Sequence, residues 1–246
     1  MNPEFSSRIA LLAGDDMMRR LADTRVLLVG IGGVGSWCAE ALVRSGIGHL
    51  TIVDRDRVAP SNINRQLPAT SSSIGRPKVN VLAERLLDIN PELQLDKIFD
   101  FYSPENADSY NLDDFDYVLD AIDSRDCKAE LILRATASRA TFFSSMGAAR
   151  KIDPAKVAVA DFWKVQGCPL ARSLRQLFKR TGHFPRHKFK CVYSPETLPH
   201  RAEPVPNPVT GEIERANGTF AHITAIFGFT LASLVIRDLY SKSDSD

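Results

Sequence analysis

Between Gly30 and Lys78 the chain carries residue types that suit a phosphate ester. Gly30-Ile31-Gly32-Gly33-Val34-Gly35 has the spacing G-x-G-x-x-G. Glycines there permit a tight turn and let a phosphate approach the backbone. A helix starting at that turn supplies amide donors and a partial positive charge. Asp54 stands 19 residues after Gly35, where a carboxylate accepts hydrogen bonds from ribose hydroxyls. Asp56 is grouped with it in the expected nucleotide site.

The residues beyond Asp56 separate two kinds of nucleotide chemistry. A nicotinamide site presents one pyrophosphate, which the glycine loop already covers. Here Asn62, Asn64, Arg65 and Gln66 come next, and then Lys78 in "GRPKVN". An arginine grips phosphate bidentately and a lysine acts as a compact point charge. This cluster suits the β- and γ-phosphates of ATP. Asp120 and Asp123, in "DYVLDAIDS", fall at the expected C-terminal end of a buried strand, where open α/β sheets bind ligands. A carboxylate beside a triphosphate is a natural Mg2+ ligand, and both acids are candidates. Taken singly, Arg65 and Lys78 also suit a solvated surface, and Asp123 also suits a helix cap near Arg125.

The elements that must hold these residues are legible as alternating apolar patterns. Runs at Arg25–Ile31, His49–Asp54, Leu93–Phe99, Tyr117–Ala121 and Thr141–Ser144 read as strands. Ser36–Ser45, Lys78–Asn90 and Lys128–Ser138 read as helices. Such β-α-β alternation predicts an α/β fold with a doubly wound, mostly parallel, Rossmann-like sheet. After Met146 the pattern changes. Two strands are expected around Asp153-Pro154, a helix over Pro169–Arg180 and a strand within "HKFKCVYSPE". The Pro-rich segment 197–218 reads as a long loop, of a length that is often functional or mobile.

The chain has 246 residues and a formal net charge of +1, so overall charge names no partner. None of Cys38, Cys127, Cys168 and Cys191 sits at a C-x-x-C spacing, which argues against a structural zinc site. The N-terminus lacks the apolar region of a signal peptide, and the expected compartment is the cytoplasm. Segment 216–236 carries no charge and approaches the ~20 residues needed to span a bilayer. Its polar members favour a buried packing helix over membrane association.

These motifs resemble the ubiquitin-activating-enzyme-like (ThiF-type) adenylyltransferases, with the glycine loop, the strand-end acid, "NINRQ", the downstream lysine and "DAID". Within them, "SRIALLAGDDMMRRLADTRVLLVG", "VLAERLLDINPE", "PLARSLR", "CVYSPE" and "ITAIFGFTLASLVI" look most like the tRNA threonylcarbamoyladenosine dehydratases. The resemblance covers nearly the whole chain. It implies a single ThiF-type domain over 1–246, with an ATP-binding part at 1–146 and a substrate-binding, dimer-supporting part at 147–246. It implies that Asp54 holds the ribose and that Asn62, Arg65 and Gln66 line the phosphates. Lys78 would sit on the phosphate under attack, and Asp123 would hold Mg2+. Arg8 would reach into the partner's site of a homodimer. A monovalent cation and a sulfur-relay partner protein stay open. The family pattern before Pro169 usually has Asp, and Cys168 in its place leaves any role of that position in doubt.

The implied reaction is ATP-dependent cyclodehydration of threonylcarbamoyladenosine in tRNA. Residues 162–195 contain no Asp or Glu, yet include Arg172, Arg175, Lys179, Arg180, Arg186, Lys188 and Lys190. Phe178, Phe184, Phe189 and Tyr193 are interleaved with them. This composition suits a phosphate backbone with unpaired bases, and equally a solvated helix face over core aromatics. Activation of a ubiquitin-like sulfur carrier is the alternative within the same chemistry, and an NAD-dependent oxidoreductase or a non-catalytic scaffold the alternatives outside it. Cys191 reads as a core thiol, Cys168 as the more exposed of the two, and His222 as a helix residue.

Overall fold

A computed structural model describes residues 3–201, 203, 205–206, 213–214 and 217–243. The chain begins with helix α1 (Pro3–Asp23), interrupted at Gly14, whose φ is 74°. Strand β1 (Arg25–Val29), helix α2 (Gly35–Arg44) and strand β2 (His49–Val53) follow. Then come α3 (Lys78–Ile89), β3 (Gln94–Ile98), β4 (Tyr117–Asp120), α4 (Arg125–Ala135) and β5 (Thr141–Ser145). The second part holds β6 (Ala158–Asp161), α5 (Pro169–Thr181), β7 (Lys190–Tyr193), a short ribbon of β8 (Val205–Pro206) and β9 (Ile213–Glu214), and α6 (Ala221–Ser243).

The main sheet has the order β3-β2-β1-β4-β5-β7-β6. All its pairings are parallel except β6 with β7. The expected doubly wound, mostly parallel sheet is therefore present, and β6 adds an antiparallel edge to it. Strand residues alternate between two apolar layers, as the two-residue period of a strand requires. Val26 and Leu28 join one layer with residues of α1, α2, α3 and α6. Leu27 and Val29 join the other with residues of α4 and α5. The order reverses between β1 and β4, and a crevice opens there beyond the strand ends, as open sheets of this kind require.

Helix α6 lies against the core along one face. It is long and apolar enough to cross a membrane, but half of its most apolar stretch is buried. Ile223, Phe227, Leu231 and Val235 lie fully inside the core. Gly228 lets α6 press onto α2: a Cβ there would lie 2.5 Å from the Val34 carbonyl oxygen and 2.8 Å from Trp37 Cβ.

Several expectations change. Only one strand forms near Asp153-Pro154, namely β6 after it. Asp153 instead accepts a hydrogen bond from the Ala155 amide and starts a short helical turn at Pro154, as an Asx residue before proline favours. Helix α4 starts at Arg125, near where the helix-cap reading of Asp123 placed it and before the Lys128 expected from apolar spacing; its N-cap is Ser124, not Asp123. Cys168 is buried, not exposed, since its thiol faces the layer under α5. Within the expected loop 197–218, β8 and β9 pair antiparallel. Residues 202, 204, 207–212 and 215–216 of that loop lie outside the described residues.

Candidate active site

The crevice at the switch point has a volume of about 730 Å³, within the range usual for small-molecule sites. Its floor is the glycine loop. Gly30 has φ 85°, and a Cβ there would meet the Ala121 carbonyl oxygen at 2.9 Å. Gly35 does not line the crevice. Its bareness serves packing, since a Cβ would fall 1.8 Å from the Gly30 oxygen. Gly30, Gly32 and Gly33 all line the space.

Asp54 sits at the end of β2 and is held by two backbone amides. Oδ2 accepts from Ile31 N at 2.9 Å and Oδ1 from Asp56 N at 2.8 Å. Burial raises its pKa above the ordinary carboxylate value, against the pull of Lys78. Lys78 opens α3 and is almost wholly buried, with Nζ 2.8 Å from Asp56 Oδ2. A buried ammonium with one carboxylate partner keeps two further donors, which an anion entering the crevice can use.

Arg65 is positioned by its backbone. Its carbonyl accepts from Trp37 Nε1 at 3.1 Å and from Thr224 Oγ1 at 3.3 Å, which fastens "NINRQ" between α2 and α6. Its guanidinium lines the crevice and donates to Ser61 O and Asn64 Oδ1. Gln66 is buried, and its Oε1 has no hydrogen-bond partner in the protein. A buried unpaired acceptor is costly, so a donor from a bound molecule is the natural complement. Asn62 lines the crevice, while its side-chain oxygen closes a turn by accepting from Ala59 N at 3.0 Å. Asn64 is not among the lining residues. Its amide donates to Thr219 O at 3.0 Å and braces the segment before α6.

The two acids of "DAID" separate. Asp123 is exposed and lines the crevice. Asp120 is wholly buried, with Oδ2 2.8 Å from Lys128 Nζ and 2.7 Å from Ser144 Oγ, and Oδ1 accepting from Ile122 N. Asp120 is thus spent on fixing the strand end. Among the described residues no group of three or more His, Cys, Asp and Glu side chains is arranged to hold a metal.

Other walls carried no sequence signal. Asp100, Phe101 and Tyr102 follow β3, and Arg55 lies over the Phe101 ring at 3.7 Å. Met146 to Ala149 follow β5, with Leu170, Asn217, Thr219 and Thr224 opposite. For the residues after β3 and β5 the one general pointer was their place just after strand ends. Buried Lys151 ties down the loop after β5 by donating to Ser194 O at 3.1 Å and Glu196 O at 2.5 Å.

Arg8 is exposed on α1 and lies outside this crevice. In the basic stretch, Arg172, Lys179, Arg180, Arg186, Lys188 and Lys190 are exposed. Arg175 is diverted: its guanidinium donates to Phe162 O at 3.1 Å and faces the Phe162 ring. Phe178 and Phe189 are core residues, whereas Phe184 is half exposed. Cys191 is buried, and burial drives its thiol pKa well up, as an inert core thiol requires. His222 lies on α6, exposed, with Nε2 3.0 Å from Ile152 O.

The fold and this crevice define a Rossmann-like α/β protein with a glycine-loop site at its switch point. The chain belongs to the ThiF family, whose profile matches residues 5–245. It is 39% identical over 241 residues to the tRNA threonylcarbamoyladenosine dehydratase of Haemophilus influenzae, covering 95% of this chain and 92% of that one. The crystal structure of the E. coli tRNA N6-threonylcarbamoyladenosine dehydratase in complex with ATP superposes with a TM-score of 0.86 at 34% identity, covering 99% of this chain and 97% of that one. The AMP complex of the same enzyme gives a TM-score of 0.86 at 35% identity, with the same coverage.

Proposed function

We propose that this chain is an ATP-dependent tRNA-modifying dehydratase that converts threonylcarbamoyladenosine to its cyclic form through an acyl-adenylate. One observation carries the reading: Lys78, Arg65 and Asp123 line the same crevice as Asp54 and the glycine loop. That set offers one ribose acceptor and two cationic side chains in addition to the glycine-loop amides that hold a single pyrophosphate. The near full-length similarity to dehydratases supports the choice of substrate.

The carboxylate of the threonylcarbamoyl group attacks the α-phosphorus of ATP, and pyrophosphate leaves. No protein nucleophile is needed. Asp54 accepts from the ribose, and Gln66 lines the crevice beside the phosphates. Lys78 and Arg65 take up the negative charge that builds on the phosphates, which is the main task in such a transfer. Asp123 would hold Mg2+, whose role is to neutralise phosphate charge; one exposed carboxylate fits an ion that takes most of its ligands from phosphate and water. Attack from within the same modification then closes the ring and expels AMP. Intramolecular attack reaches effective molarities on the order of 10⁵ M or more, so excluding water matters more than supplying a base. The chemistry as written requires neither a monovalent cation nor a sulfur-relay protein.

A homodimer belongs to this reading. Leu11 and Leu12, a turn beyond Arg8 on α1, are 81% and 82% exposed, an apolar surface that a second copy would cover. A cytoplasmic location goes with a tRNA substrate. The deciding experiment is mass spectrometry of nucleosides after incubation with ATP and tRNA bearing the modification. The expected result is loss of one water with release of AMP. An unchanged nucleoside, with activity on a carrier-protein C-terminus instead, would transfer the reading to sulfur-carrier activation.

A further inference from the structure

The basic stretch contains an aromatic feature that its sequence hides. Trp163, in the short turn after β6, and Phe184, just past α5, meet with ring centroids 6.2 Å apart. They are 39% and 50% exposed, while their aromatic neighbours Phe162, Phe178 and Phe189 are buried beneath. Phe162 lies 5.2 Å from the Trp163 ring and stacks on Phe189 at 5.1 Å, so the exposed pair rests on a fixed base.

The charge of this stretch of sequence is one-sided. Arg180 faces Asp126 of α4 and is partly balanced by it, and Arg175 is committed to Phe162. Arg172, Lys179, Arg186 and Lys188 remain exposed, and residues 162–195 contain no Asp or Glu. Asp161 lies at the edge, its carboxylate accepting from Trp163 N at 2.9 Å. Cations flanking an exposed aromatic pair match the pattern by which proteins hold unpaired nucleotides: charge follows the backbone and rings stack on bases.

We propose that Trp163 and Phe184 form a stacking platform for an unpaired base of the RNA substrate, remote from the reacting adenosine. The inference rests on the tRNA reading above. Helix α5 starts at the crevice, where Leu170 lines the wall. At about 1.5 Å per residue its far end lies roughly 17 Å from Leu170, or about five stacked nucleotides at ~3.4 Å each. A platform at that distance can hold the same RNA without touching the modified base.

The test measures binding of purified tRNA bearing the threonylcarbamoyl modification to the full chain at several salt concentrations. Trp163→Ala and Phe184→Ala should each weaken binding roughly tenfold, within the range found for lost base stacking. KM for tRNA should rise while kcat and ATP affinity hold. The salt slope should stay unchanged, because a stacking ring releases no counterions. Trp163→Phe should restore binding. In protein labelled with 5-fluorotryptophan, the Trp163 resonance should shift on adding tRNA. Wild-type affinity in both alanine variants would overturn the platform but leave the tRNA reading intact, provided that Arg172→Glu with Lys179→Glu still weakens binding. Loss of self-association in Trp163→Ala would assign the pair to a second copy of the chain and equally overturn it. No tRNA binding by the wild type would sink both.

Discussion

Lys128 Nζ lies 2.8 Å from Asp120 Oδ2, with both side chains wholly buried at the end of β4. The same ammonium donates to Ile122 O at 2.8 Å. This closed set fixes the turn from which Asp123 projects at the crevice. Removing one partner of a buried ion pair leaves an uncompensated charge, typically at a loss of about 3–5 kcal/mol. Lys128→Met should show a loss of that order in urea unfolding. Lys128→Met with Asp120→Asn should lose less than the sum of the single changes, because the isolated charge disappears. Strict additivity would show that the two do not act as a unit.

Lys78 and Arg65 line the crevice together. Removing a donor that meets developing charge costs about 10²–10³ in kcat. Lys78→Ala and Arg65→Ala should each show a fall of that size in ATP–pyrophosphate exchange. Near-normal exchange in both would defeat their assignment to the phosphates.

Asp54 supplies a pH signature. Burial raises its pKa, and Lys78 opposes that rise. In the proposed site the carboxylate is the form that would accept from the ribose hydroxyls. ATP affinity should therefore fall as pH drops through a window above the ordinary aspartate value of ~3.9. In Asp54→Asn that inflection should vanish. In Lys78→Ala it should move to higher pH, because the favourable charge is gone. Calorimetric titration of ATP across the acidic range reads all three.

Arg8 lies outside the crevice of its own chain, so it can act only across a subunit boundary or not at all. Mixing Arg8→Ala with Lys78→Ala subunits leaves one intact site in a twofold heterodimer. Activity should return to roughly half the wild-type level per heterodimer, given one functional site of two. A verified heterodimer without activity would rule out action across the boundary.

Glu40 couples two helices that frame the site. Its carboxylate on α2 meets Arg85 of α3 and Arg44. Burial pushes its pKa up, but hydrogen bonds from Arg85 and Arg44 hold it below the ordinary value. A depressed folded pKa contributes stability above the unfolded value of ~4.3, and that contribution is lost as pH falls through the folded value. Arg85→Met should flatten the acid limb of the urea midpoint against pH. An acid limb identical to the wild type would remove Glu40 from the linkage.

How much of this was legible in the chain depends on the range of the forces involved. The glycine loop, the acid at the end of β2, the apolar runs of β1, β2 and β4 and the helical spacing of α3 are local patterns. Strands and helices impose their periods on adjacent residues, so the doubly wound sheet and Asp54, Arg65, Gln66 and Lys78 stood out before any coordinates. Tertiary structure decided the rest. Asp120 and Asp123 read alike in "DAID", yet one is sealed beside Lys128 and the other borders the crevice. Asn64 and Arg65 are neighbours, yet only Arg65 lines the space. Cys168 turned inward because α5 covers it. Trp163 and Phe184 meet from separate elements on either side of α5. Such meetings join distant residues through packing and desolvation, and those leave no period along the chain.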